Sequence, residues 1–252
     1  MGNFSEIVHS IIQSVWNEGA SKEEVRQDVS HWRGVGRWAD DKKWLGIGKK
    51  SLKNIEKLWR FLGRPKASLA GLTIMEWGPG GGSNAVGLKN IALRYYGVDI
   101  SEKNLNEAAR QCVQEVECSD YFKPILLLGP PSQVLKRIPS EVDLFLSTAV
   151  FQHFPSKEYA IEVLETVFNA LKTNGVAIIQ IRFDNDNLMF QQKTKIQEYN
   201  KNFITYTSFK VDDFWNTCIS VGLTPLYISD MNSKINYATI HLVKKNSDKN
   251  SR

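Results

Sequence analysis

Apolar residues at three- and four-residue spacing open the chain. Phe4, Ile7, Val8, Ile11, Ile12, Val15 and Trp16 predict an amphipathic helix with Gly19 as its stop. Ser21, with Glu24 three residues later, is a capping-box start for a second helix. Two close glycines, Gly34 and Gly36, and the tryptophans Trp32, Trp38 and Trp44 then predict an irregular, aromatic-rich segment. The helical period returns at Ser51 with Leu52, Ile55, Leu58, Trp59 and Leu62, and Gly63 and Pro65 end it. Residues 1–68 therefore read as an N-terminal helical cap.

From Leu72 the pattern becomes short apolar strands alternating with amphipathic helices, as in a mostly parallel α/β sheet. Strands are expected at 72–77, 95–100, 124–128, 142–148, 176–183, 224–228 and 237–243. Helices are expected at 83–93, around Leu105 to Cys112, from Ser156 to Asn174-Gly175, and over Phe214 to Val221. The core domain spans 69–245, with a polar, lid-like insertion at 184–209. A polar tail, 246–252, is expected to be disordered.

The feature that carries chemistry is the first strand, then Gly78-Pro79-Gly80-Gly81-Gly82, then a helix. Glycines let backbone approach a ligand closely, and a helix N-terminus beyond them offers free N–H groups. Nineteen residues after Gly80, Asp99 ends the second strand, where a carboxylate can accept both hydroxyls of an adenosine ribose. A nicotinamide dinucleotide is the competing ligand, but its GxGxxG fingerprint needs a glycine where Ser83 stands.

The run Met75-Glu76-Trp77-Gly78-Pro79-Gly80-Gly81-Gly82, then Tyr96-Gly97-Val98-Asp99-Ile100-Ser101, resembles the class I S-adenosylmethionine-dependent methyltransferases. So do Val142 to Phe154 and Ala170-Leu171-Lys172-Thr173-Asn174-Gly175. The resemblance covers about residues 70–243. It implies a seven-stranded Rossmann-like sheet with an antiparallel last strand. S-adenosylmethionine is the implied cofactor and S-adenosylhomocysteine its product. It places Glu76, Gly78, Pro79, Gly80, Asn84, Asp99, Ile100, Gly129, Ser147 and Thr148 at the cofactor. Gly78 and Gly80 would line its methionine part, Asp99 the ribose and Ile100 the adenine. Ser147 and Thr148 would face the methyl. Many members carry an acid after the third strand for the adenine amine; here Leu128-Gly129-Pro130-Pro131 stands there, leaving that contact to a backbone carbonyl.

Methyl transfer uses an already activated cofactor, so the protein contributes positioning and deprotonation of the acceptor. His153, just after the fourth strand, is the candidate base; a histidine packed against its loop is the alternative. Asp184 and Asp186 follow the fifth strand as in metal-dependent members, but Ser147-Thr148 replaces the acid those members have on the fourth. No metal is therefore expected. The segment with His31, Arg33 and Arg37 reads either as an anion clamp over the site or as aromatic glue between cap and core.

Composition narrows the setting. The 252 residues are 42% hydrophobic and 23% charged, as in soluble globular proteins. No apolar run reaches the roughly 18 residues of a membrane span, and the N-terminus lacks a secretory signal. Three cysteines without CxxC spacing read as reduced thiols, so a cytoplasmic protein is expected. A net charge of +5, concentrated between Lys42 and Lys66 and in the tail, keeps nucleic acid as a second, less favoured partner. The leading expectation is methylation of an oxygen or nitrogen of a small molecule, such as a natural product or sugar. RNA or protein methylation and a non-catalytic cofactor-binding protein are the alternatives, and oligomeric state is left open.

Overall fold

The computed structural model describes residues 4–17, 23–116, 118, 120–138 and 141–246. The expected stop at Gly19, the capping start at Ser21 and nearly all of the polar tail lie outside these residues.

Helices α1 (Phe4–Asn17), α2 (Glu23–Val29) and α3 (Asp41–Phe61) precede the sheet. The core then runs β1 (Leu72–Trp77), α4 (Ser83–Gly87), β2 (Ala92–Asp99), α5 (Glu102–Glu115), β3 (Phe122–Leu126), β4 (Val142–Ser147) and α6 (Lys157–Ala170). It continues with β5 (Leu171–Arg182), the single turn α7 (Tyr199–Asn202), α8 (Val211–Ser220), β6 (Thr224–Asn232) and β7 (Tyr237–Val243). The seven strands form one sheet in the order β3-β2-β1-β4-β5-β7-β6. β1 to β5 are parallel, and β7 is antiparallel to both β5 and β6. The expected seven-stranded, Rossmann-like sheet is present.

Strand alternation builds two cores. Met75, Phe145 and Ile179 face α6 and α8, while Ile74, Leu144 and Ile178 face α3, α4 and α5. The order reverses between β1 and β4, which opens a crevice at their carboxyl ends. Every residue of the expected site lies near that end.

Several element boundaries differ from expectation. α3 starts ten residues early because Asp40 caps it, accepting from Lys42 N at 2.8 Å and Lys43 N at 3.4 Å. Trp44 is therefore a fully buried helix residue rather than part of an irregular segment. α4 ends at Gly87, not Leu93, and β2 begins at Ala92. α6 ends at Ala170, and β5 runs from there through Asn174 and Gly175. Within the insertion at 184–209, Tyr199, Phe203 and Tyr206 are buried with Ile12 and Val15 of α1 in a third small core.

Candidate functional site

Two adjoining cavities occupy the crevice. The first lies between the glycine loop, Asp99-Ile100 and the cap, and is walled by Trp16 of α1 and Ser30-His31 of the cap. The second is larger, about 340 Å³, and lies under α3 across β4, β5 and β7. Val29, His31, Thr148, Ala149 and His153 line both and form their shared wall.

Glu76 sits at the floor of the first cavity, 1% exposed. Its oxygens accept from Asn84 Nδ2 at 2.6 Å and Tyr95 Oη at 2.7 Å, and Ser51 Oγ donates to Asn84 Oδ1 at 2.8 Å. Burial pushes the Glu76 carboxyl up to about 7 against those two bonds. This chain ties the start of α4 to β1 and to α3, and so fixes the loop between them.

The loop itself is held by the cap. Gly80 adopts φ +52°, and a Cβ there would collide with the carbonyl oxygen of Ser30. Gly81 N donates to that same carbonyl at 2.7 Å. The glycines thus admit the cap's backbone at Gly80 and the Val150 side chain at Gly78.

Asp99 faces the first cavity and is 8% exposed. It accepts from Ser101 N at 2.8 Å and Asn104 Nδ2 at 3.3 Å, and burial nevertheless raises it to about 6. No cation pairs with it among the described residues. The backbone of Ile100 and Gly80 also holds the carboxylate, and a buried, acceptor-only group at the cavity wall suits a pair of hydroxyls. The apolar rim of Ile12, Trp16, Ile100 and Leu127 suits a flat ring beside them. The lining of this cavity therefore suits the chemistry of an adenosyl group.

Glu76, Gly78, Pro79, Gly80, Asn84, Asp99, Ile100, Thr148 and His153 all line the first cavity. Ser147 lines the second instead; its Oγ donates to Trp77 O at 3.1 Å, which turns the side chain onto the backbone. Gly129 lines neither, because β3 ends two residues early and the Gln133 side chain covers Gly129. Leu127 reaches the cavity in its place, its carbonyl 3.1 Å from His9 Nε2. Ile12, Trp16, Ser30, Asn104 and Tyr159 are lining residues that sequence reasoning missed. No local pattern marks them, since the fold gathers them from α1, the cap, α5 and α6.

His153 is 8% exposed, its Nδ1 donating to Phe203 O at 2.5 Å and its ring edge-on to Trp16 at 5.1 Å. That bond puts the proton on Nδ1 and leaves Nε2 as the acceptor, 3.4 Å from Gln152 Nε2. Burial lowers both His153 and His31 to about 4, so both rings are neutral at physiological pH.

The arginines of the tryptophan segment are already engaged. Arg33 forks onto Asp41 at 2.7 Å and meets Glu115 at 2.6 Å, and Arg37 pairs with Asp28 at 2.8 Å. Trp32, Trp38 and Trp44 donate to Asn104, Asp28 O and His31 O. The segment fastens cap to core. Among the described residues no three His, Cys, Asp or Glu side chains converge as a metal site, and no helix is long and apolar enough to cross a membrane.

Residues 75–177 match the family model described as a methyltransferase domain. No curated protein matches the chain in sequence. Solved structures share the fold at low identity. Magnesium protoporphyrin IX methyltransferase from Synechocystis PCC 6803 with bound S-adenosylhomocysteine is 15% identical, with 96% of each chain covered and a TM-score of 0.58. The same protein with bound S-adenosylmethionine is 16% identical over 97% of this chain and 99% of that one, at a TM-score of 0.57. Mitomycin 7-O-methyltransferase is 13% identical over 75% of this chain and 53% of that one, at 0.52.

Proposed function

We propose that the chain, which carries a methyltransferase domain over residues 75–177, is a class I S-adenosylmethionine-dependent methyltransferase and that it methylates an oxygen or nitrogen of a small molecule seated in the second cavity. The observation that carries this reading is the shared wall. One cavity fits the cofactor, the other abuts it, and Thr148, His31 and His153 stand between them. A volume of about 340 Å³ falls within the size range of small-molecule sites, roughly 300–1,000 Å³.

S-adenosylmethionine supplies a methyl group on a positively charged sulfur. Gly78, Gly80 and Asn84 would hold its amino-acid part, Asp99 its ribose, and Ile100 with Leu127 its adenine. An acceptor that took this methyl group would have to give up a proton. His153 is the base we assign to that proton. Its Nε2 is unprotonated at neutral pH and lies on the shared wall, and α1 and residues 199–206 shield it from water.

The test is turnover with His153→Gln. The account expects S-adenosylhomocysteine affinity within a few-fold of wild type and a kcat lower by roughly 10² or more. Full turnover with intact cofactor binding removes His153 from the mechanism. We also propose that the reaction needs no metal; activity abolished by chelator and restored by magnesium contradicts this. Methylation of RNA that falls steeply with salt would favour a nucleic-acid substrate instead.

A further inference from the structure

The second cavity contains a cation with no counter-ion. Arg182, the last residue of β5, projects into it with Gln180 and Ile178, the strand's alternate residues on that face. The side chain is 7% exposed. Its guanidinium donates to Tyr237 Oη at 3.0 Å and, at 3.5 Å, to Ile235 O, and it lies 4.8 Å from the ring centres of Phe190 and Tyr237. Its Nε has no partner, and no carboxylate pairs with it among the described residues. The other charges facing this cavity are already matched: Arg37 with Asp28, and Lys50 with Asp230, which also accepts from Asn54.

A buried guanidinium without an anion carries a desolvation cost that contact with two aromatic rings offsets in part. Its planar donor fork matches a carboxylate.

Beside it stands an orphan of opposite character. Gln152 Nε2 donates to Ala149 O at 2.9 Å and to the same Tyr237 Oη at 3.0 Å. The first bond fixes the amide orientation and leaves Oε1 buried without a donor. Through the shared Tyr237 hydroxyl, an unfilled donor and an unfilled acceptor stand side by side on one wall.

We propose that the methyl acceptor is a small hydroxy- or amino-carboxylic acid, its carboxylate held by Arg182 and its O–H or N–H facing Gln152 Oε1. This rests on the second cavity being the acceptor site. An anion on Arg182 would also relieve the repulsion that Arg182 exerts on a protonated His153, and so ease proton acceptance there.

The experiment titrates the S-adenosylhomocysteine-loaded protein with 4-hydroxybenzoate, 4-aminobenzoate, 3-(4-hydroxyphenyl)propionate and 6-hydroxyhexanoate, each against its primary amide. Wild type is expected to bind the acids at least tenfold tighter than the amides. Arg182→Gln abolishes the difference and Arg182→Lys restores part of it, with S-adenosylhomocysteine affinity read in each variant as the check on folding. Equal binding of acids and amides by the wild type, or a preference that survives in Arg182→Gln, overturns the proposal. Should Arg182→Gln fail to fold, the wild-type comparison and Arg182→Lys still decide it, since a lysine that leaves the preference untouched speaks against a forked contact. Absence of S-adenosylhomocysteine binding defeats the cofactor reading itself, and is distinguished by that first titration.

Discussion

Asp99 couples cofactor binding to pH. Only its ionised form accepts from two hydroxyls, and burial has raised its pKa from the usual range to about 6. Cofactor affinity is therefore full above that value and weakens as pH falls through it, approaching roughly tenfold per pH unit. His31 and His153, held near 4, stay neutral across this window. Glu76, near 7, titrates within it, so Asp99→Asn is the discriminating variant. Calorimetric titration with S-adenosylhomocysteine from pH 8 to 5 should show the weakening in wild type. The variant should bind at least tenfold more weakly, with the drop near pH 6 removed. Asp99 and the loop glycines were legible in the sequence because strand, turn and acid are fixed by local spacing. Gly129 was misplaced for a local reason too: β3 stops at Leu126, and no residue pattern marks where a parallel strand ends.

At the scale of elements, α3 determines how the cap sits. Trp44, Gly48, Ser51, Ile55 and Leu58 recur at four- and three-residue spacing and are all buried. Gly46 and Gly48 lower helix propensity and hid the first ten residues of the helix from a reading by pattern. The structure gives Gly48 its reason: a Cβ there would lie 2.6 Å from the Cα of Gly87, where α3 and α4 touch. Gly48→Val is expected to cost about 1–3 kcal/mol by overpacking. Trp44→Ala is expected to cost about 3–5 kcal/mol by leaving a cavity. Denaturant unfolding at constant m-value measures both. A neutral Gly48→Val would mean the helices can part, and the cap's seat on the glycine loop would then be loose.

Across the whole molecule, sequence-distant segments close the cofactor cavity. α1 packs on residues 196–206 through Ile12, Val15, Tyr199, Phe203 and Tyr206, and Trp16 Nε1 donates to Tyr199 Oη at 3.1 Å. Ser101 Oγ donates to Trp16 O at 3.2 Å, fastening α1 beside Asp99. This small core is separate from the two that flank the sheet, so the two segments should open and close as one unit. Hydrogen exchange should slow in both together when S-adenosylhomocysteine binds, and Trp16→Ala should weaken that binding while leaving the sheet's protection unchanged. Protection confined to one of them would separate the pair. Pattern reading found the seven strands because each is a local signal, but it could not pair α1 with a segment more than 180 residues away. The account as a whole turns on whether the cavity between the glycine loop and Asp99 binds the adenosyl cofactor. Calorimetric titration of S-adenosylhomocysteine into wild type and Asp99→Ala at pH 8 tests this most directly. Saturable one-to-one binding that Asp99→Ala weakens at least tenfold is predicted; no binding, or binding that Asp99→Ala leaves unchanged, would contradict it.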